Sequence, residues 1–164
     1  MANINQVQWE DFKKLYSKIK SNAYSRKTTK VNISFEHLST TGKITLIRNL
    51  FLSNRKVESI NFGILSWEPD AIIEKAISLN NKKNILNKIS TYKNGKKPGF
   101  FFISDHALDN AFLSTLLTNH FNFEKGARPA LNIKVLIYLV CSNCKFFIDI
   151  YDDRGLNFYY IPKN

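Results

Sequence analysis

Two short stretches of this sequence carry the residue types that do chemistry. Near the carboxyl end, Tyr151-Asp152-Asp153-Arg154-Gly155 sets two acids beside a base and a glycine, with apolar residues on both sides. Just upstream, Cys141-Ser142-Asn143-Cys144 has the C-x-x-C spacing of zinc and redox sites. A carboxylate pair that works as acid and base must converge on one substrate, in surroundings that push the two pKa values apart. Adjacent residues of an extended chain point to opposite faces, and Asp on a tight turn usually accepts hydrogen bonds from the turn's own amides. The preferred reading is a structural corner. In it an Asp takes the amide two residues on, Gly155 supplies positive φ, and Arg154 forks onto a carboxylate or carbonyl.

The two cysteines fare no better as chemistry. Structural zinc takes four ligands; no second C-x-x-C accompanies this one, and His37, His106 and His120 are scattered. A redox C-x-x-C opens a helix after a strand, whereas this one sits where a hairpin is expected. Cys141 and Cys144 are read as ordinary thiols flanking a turn, with no metal and no cofactor expected. His106 and His120 fall on one expected helix about four turns apart, so they read as surface or cap residues and not as a nucleophile's partners. Gly95-Lys96-Lys97 lacks the pattern of a phosphate-binding loop. No catalytic residue is assigned.

The elements that would position these groups follow from apolar spacing. Trp9, Phe12, Leu15, Tyr16 and Ile19 recur at three and four, which predicts an amphipathic helix from about residue 5 to 20, with Glu10 and Asp11 early and lysines late to suit the helix dipole. Val31, Ile33 and Phe35 alternate like a half-buried strand. Ser39-Thr40-Thr41 offers a cap to a helix through Ile44, Ile47, Leu50 and Phe51, although residues 40–55 also fit a strand. A strand over 57–65 leads to a helix beginning near Pro69 and a second helical piece near 82–90. Phe100 to Ile103 reads as a buried strand, and Asp105 as the cap of a helix running to about residue 121 through Leu108, Phe112, Leu116 and Leu117. Gly126 ends that helix. Three strands follow, over 133–140, 146–151 and 156–160, joined so tightly that they must be antiparallel neighbours. The expected fold class is α+β: a mostly antiparallel sheet of five or six strands with a carboxyl-terminal three-stranded meander, packed against three to four helices in one domain spanning residues 1–164.

The charge is placed unevenly. The net charge is +11; residues 1–100 hold 18 Lys and Arg against 7 Asp and Glu, and residues 101–164 hold 6 of each. Such asymmetry suggests a basic surface that meets something acidic, with a plain solvated lysine coat as the alternative. The basic positions singled out are Arg26, Lys27, Lys30, Arg55, Lys56, Lys82, Lys83, Lys96 and Lys97, with Tyr24 and Tyr92 near enough in sequence to stack on bases. No apolar run approaches the roughly 20 residues that span a bilayer. The polar amino terminus and the two cysteines fit a cytoplasmic protein with no membrane partner.

Residues 116–160 resemble the carboxyl-terminal signature of a bacterial family of unknown function. The likeness lies in Leu116 to Phe123, Gly126-Ala127-Arg128-Pro129-Ala130 and Phe147 to Asn157, which includes the Tyr-Asp-Asp-Arg-Gly turn. It departs at Ala130 and Asn157, where that family usually has Ser and Asp. The resemblance implies no activity and no catalytic residue; because Arg128-Pro129 recurs with the turn motif, it implies that Arg128 or Arg154 bonds a turn carboxylate of Asp152 or Asp153 and locks the final hairpin. By size and architecture the chain is also similar to the immunity proteins of bacterial toxin and immunity pairs, including those of contact-dependent growth inhibition. The expectation is a non-enzymatic immunity-type protein whose basic residues meet an acidic face of a cognate toxin. The alternative is a nucleic-acid-binding protein using the same surface of residues 1–100.

Overall fold

The computed structural model describes residues 4–52, 57–78, 85–93, 96–105 and 110–163. Helix α1 (Ile4–Lys20) is followed by β1 (Thr29–Ser34), α2 (Thr40–Leu52), β2 (Val57–Ser66), α3 (Asp70–Ser78), β3 (Ile85–Ser90) and β4 (Gly99–Asp105). Then come α4 (Asn110–Lys125), β5 (Ile133–Cys141), β6 (Cys144–Asp152) and β7 (Gly155–Pro162). The seven strands form one sheet in the order β1-β7-β6-β5-β2-β4-β3, and every pairing is antiparallel. The α+β class and the carboxyl-terminal meander are as the sequence predicts.

Side chains alternate across this sheet and so build two cores. On one face Ile64, Ile103, Val135, Ile137, Ile148 and Leu156, all fully buried, pack with Ile47 of α2, Ile73 of α3 and Leu113, Leu117 and Phe121 of α4. On the other face Phe100, Phe102, Leu136, Tyr138, Phe147 and Tyr159 are covered by α1 through Phe12 and Ile19. Gly63 makes that second packing close, because a Cβ there would stand 2.6 Å from Phe12 Cζ, nearer than real side chains come.

Local chemistry closes the helices where expected. Ser39 Oγ accepts the Gly42 amide at 3.0 Å, which resolves the 40–55 ambiguity in favour of a capped helix. Gly126, at φ 69°, ends α4, with Ala127 N donating to Asn122 O and Gly126 N to Phe123 O. Asn22, at φ 53°, ends α1 in the same way, through Ala23 N to Lys18 O and Asn22 N to Ile19 O.

The structure corrects four expectations. Ile85–Ser90 is strand β3 and not helix: Ile85, Leu86 and Ile89 suit either period, and pairing with β4, as in Leu86 opposite Ile103, decides it. That strand brings the sheet to seven. Asp105 pairs with Ile60 at the end of β4 and so belongs to the sheet, while α4 begins at Asn110 and runs on to Lys125; His106 and Leu108 lie outside the described residues. Glu10 and Asp11 are mid-helix, because α1 starts at Ile4; only Lys18 and Lys20, in the last turn, complement its dipole. Gly155 does not adopt positive φ. It is required instead by close approach, since a Cβ would collide with the Tyr151 hydroxyl and the Ile33 carbonyl.

Candidate partner-binding surface

The acidic corner is a structural turn. Residues Asp153 and Arg154 form the two-residue connection between β6 and β7, with Tyr151 bulged so that Asp152 opposes Gly155. Asp152 Oδ1 accepts the Arg154 amide at 2.7 Å, and its Oδ2 takes Arg154 Nε at 2.7 Å and Nη2 at 2.5 Å. Partial burial works to raise the Asp152 carboxyl, but the hydrogen bonds and charge of Arg154 prevail and hold it below the usual carboxylate range. A carboxylate so engaged is a poor base. Arg128 takes no part: it is exposed, and its loop is tied to α4 by Asn122 Nδ2 donating to Pro129 O at 2.8 Å.

Cys141, the last residue of β5, and Cys144, the first of β6, are buried and not joined in a disulfide. Among the described residues no group of three or more His, Cys, Asp or Glu is placed to hold a metal. His37 is exposed at φ 65°. His120 departs from the expected surface role. It is 2% exposed, its Nδ1 donates to Ile133 O at 2.6 Å, and its Nε2 is buried without a hydrogen-bond partner. Burial, above all, depresses its pKa below the ordinary value, against the opposing backbone bond and the nearby carboxylates. Close by, Lys43 is buried with its ammonium 5.2 Å from the Phe121 ring centre and 5.9 Å from that of Phe35, and burial lowers its pKa too. Both groups are buried in the packed face, with Phe35 also lining a smaller depression beside Asp153 and Arg154.

The open surface lies on the other face, where one helix meets seven strands. Six strand spacings make the sheet roughly 29 Å wide, and a helix with its side chains is only about 10–12 Å across. α1 runs obliquely over this face. Trp9 packs at a tilt against Phe100 and Phe102 of β4 at 5.3 and 5.4 Å, Phe12 reaches Phe147 of β6 at 5.7 Å, and Tyr24, just past the helix, meets Tyr159 of β7 edge-on at 5.6 Å.

Beside α1, toward β3, this leaves a groove of about 540 Å³. Trp9, Tyr16, Phe100 and Ile89 give it an aromatic and apolar floor, with Ile89 41% exposed. Lys13 and Lys20 stand on its rim, each ammonium drawn over a ring: Lys13 is 5.2 Å from the Trp9 centre and Lys20 is 5.4 Å from that of Tyr16. Such exposed cation–π contacts are worth about 0.5–1 kcal/mol each and hold the charges in place. On the far side of α1, Lys134 Nζ lies 3.0 Å from Asp149 Oδ1, near enough for an ion pair although off the axis of a hydrogen bond. Burial and then this carboxylate raise the hydroxyls of Tyr16 and Tyr159, the latter to about 12, so both remain neutral donors.

The basic residues singled out in the sequence are not one patch. Arg26, Lys27 and Lys30 are exposed at and before β1, with the Lys30 ammonium 5.7 Å from the Tyr159 ring centre. Lys96 and Lys97 are exposed in the turn ahead of β4, near the opposite edge of the sheet. Arg55, Lys56, Lys82 and Lys83 lie outside the described residues. The lysines that join the two ends are on α1, where Lys13, Lys14, Lys18 and Lys20 are all exposed. Their signal was legible: Trp9 with Lys13, and Tyr16 with Lys20, share the i,i+4 spacing of helix neighbours. Tyr24 is spoken for by Tyr159, and Tyr92 N donates to Asp70 Oδ1 at 3.2 Å.

No described helix is long and apolar enough to cross a membrane. Comparison with protein-family models, curated proteins and solved structures finds no match to this chain.

Proposed function

We propose that this chain is a non-enzymatic immunity-type protein that binds and neutralises a cognate bacterial toxin, and that α1 and its groove receive an acidic face of that toxin. The observation that carries this reading is the groove itself: an aromatic floor ringed by exposed lysines, on a chain of net charge +11. Trp and Tyr in a depression are the residue types that concentrate binding energy at protein interfaces, while charges around them raise the encounter rate and reject wrong partners. A face built on a 17-residue helix, about 25 Å long, suits a standard interface of roughly 800 Å² per partner. The mechanism is occlusion: the long-range field steers the acidic partner in, and an apolar anchor seated between Trp9 and Ile89 holds it.

The alternative, a nucleic-acid-binding protein, draws on the same lysines and is separated by salt. Counterion release makes polyanion affinity fall steeply and linearly on a log–log plot, whereas an apolar anchor leaves a salt-insensitive remainder. The test is co-expression with a toxin gene encoded beside this chain, together with calorimetry of the purified pair. Protection and a stoichiometric complex are expected. A fully folded chain that neither protects nor binds, yet is retained by DNA or RNA in low salt, contradicts the proposal.

A further inference from the structure

A second contact surface lies along β1, the open edge of the sheet. β1 pairs with β7 over six registers, and among the described residues no strand pairs with its other side. Five of its six residues are exposed, Val31 to 46%. The direction of its backbone groups follows from one bond: Phe35 N donates to Arg154 O at 2.7 Å, toward β7. In an antiparallel ladder a residue sends its amide and its carbonyl to the same side, and alternate residues take opposite sides. Val31 and Ile33 therefore share the inward direction of Phe35, while Lys30, Asn32 and Ser34 turn theirs out to solvent. That is a row of three donors and three acceptors along roughly 20 Å of straight strand. Proteins usually blunt such edges with a bulge, a proline, a cover or a lysine; β1 has an unbroken register with β7, contains no proline and is exposed, and its one charge, Lys30, would turn away a basic strand while admitting an acidic one.

The side chains say what would pair there. Lys30 points to the α1 face beside Tyr159, and Arg26 and Lys27 stand exposed just before the strand, whereas Val31 and Ile33 point to the opposite face. An added strand would set its own side chains alternately against these two rows.

We infer that β1 is a site of strand addition, and that its occupant is an exposed strand of the acidic partner, with carboxylates on the row beside Lys30 and apolar residues on the row beside Val31. Main-chain hydrogen bonds supply affinity and the alternating rows supply register. A second copy of this chain is the poorer occupant, because it would bring together two chains of net charge +11 at their basic edges. The assignment rests on the acidic-partner reading but places part of the contact at the sheet edge, away from the α1 groove.

The experiment uses the full ¹⁵N-labelled chain and a synthetic capped peptide, Glu-Val-Glu-Val-Glu-Val, with hydrogen exchange read by NMR at each β1 amide. At free peptide ten times its Kd, exchange at Lys30, Asn32 and Ser34 should slow about tenfold, while Val31 and Ile33, already bonded to β7, stay unchanged. A peptide of the same composition in blocks, Glu-Glu-Glu-Val-Val-Val, should give no such pattern. Asn32→Pro removes the central outward donor and leaves the β7 ladder intact; it should abolish the protection in a chain that still unfolds cooperatively, while Asn32→Ala retains it. Peptide binding whose effects are confined to Lys13 and Lys20 overturns strand addition and leaves the acidic-partner reading standing. Failure of both peptides and of the neighbouring toxin to bind removes both. Slowed exchange of the same amides on concentrating the chain alone, with a dimer in sedimentation, assigns the edge to a second copy and overturns the stated occupant.

Discussion

The two faces of the sheet are built from similar strands and finished in opposite ways. Three helices cover one face, and residues such as Leu113, Leu117 and Phe121 there are fully buried. One helix covers the other, where Trp9 and Tyr16 remain half-exposed, lysines sit on aromatic rings and a groove stays open beside Ile89. The titratable groups sort the same way. Burial in the thick core lowers the pKa of both His120 and Lys43, while the lysines of α1 stay exposed, Lys13 beside Glu10 and the Trp9 ring and Lys20 over Tyr16. Stability is concentrated on the first face and recognition on the second, so a substitution's readout should reveal which face it is on.

The largest expected effect comes from the thick face. Phe121→Ala would leave a void beside Phe35 and strip Lys43 of an aromatic partner, with a loss of about 3–5 kcal/mol in chemical denaturation. A loss under about 1 kcal/mol would mean that this core is not close-packed there.

Next comes the seam of the thin face. Gly63→Ala would push a Cβ into Phe12 and lift α1 from the sheet, at a cost of about 1–3 kcal/mol typical of overpacking. Because α1 is a separate layer, Trp9 fluorescence should report a wetter environment while the far-ultraviolet signal of the sheet persists. One cooperative transition with unchanged Trp9 emission would show that the faces do not separate.

A smaller effect distinguishes the faces by pH. His120 has a depressed pKa in the folded chain, so below the ordinary His value the unfolded chain binds the extra proton first. Its stabilising contribution is therefore complete above about pH 6.5 and declines as pH falls through the range below that value, with a slope of at most about 1.4 kcal/mol per pH unit. His120→Phe should flatten that slope between neutral and mildly acid pH. An unaltered slope would assign it to the carboxylates, of which Asp152, held low by Arg154, is the clearest.

The rim contributes to stability only through local contacts. Lys13→Glu with Lys20→Glu removes two cation–π contacts and the Lys13–Glu10 pair and should cost about 1–2 kcal/mol, without loss of the fold, yet weaken association with an acidic partner sharply.

Much of this division was legible in the sequence, and the exceptions have physical causes. The aromatic stripe of α1 and the three closing strands announce themselves because spacing and local connection determine them, whereas the element after Ser39 fitted helix and strand alike until the Gly42 amide bond to Ser39 Oγ decided it. β3 was not legible, since Ile85, Leu86 and Ile89 fit both periods and the deciding contact with β4 is remote in sequence. Gly155 was identified as essential to its turn, but for the wrong reason: local turn chemistry suggests a φ requirement, whereas the crowding comes from the Tyr151 hydroxyl and from the Ile33 carbonyl of another strand. Charge was visible and its geometry was not. Nothing in the sequence separates Arg26, Lys27 and Lys30 from Lys96 and Lys97, which a seven-stranded order sends toward opposite edges. The Lys13 and Lys20 pairings were legible in principle from their i,i+4 spacing to Trp9 and Tyr16.

The most direct test is titration of the neighbouring toxin domain into this chain and into its Lys13→Glu, Lys20→Glu variant, at two salt concentrations. The account predicts a one-to-one complex whose association slows with salt, and a variant that still folds cooperatively but binds at least about tenfold more weakly, a difference of some 1.4 kcal/mol. A complex of unchanged affinity in the variant, or no complex with the intact chain, would contradict the claim that the thinly covered face is the binding surface.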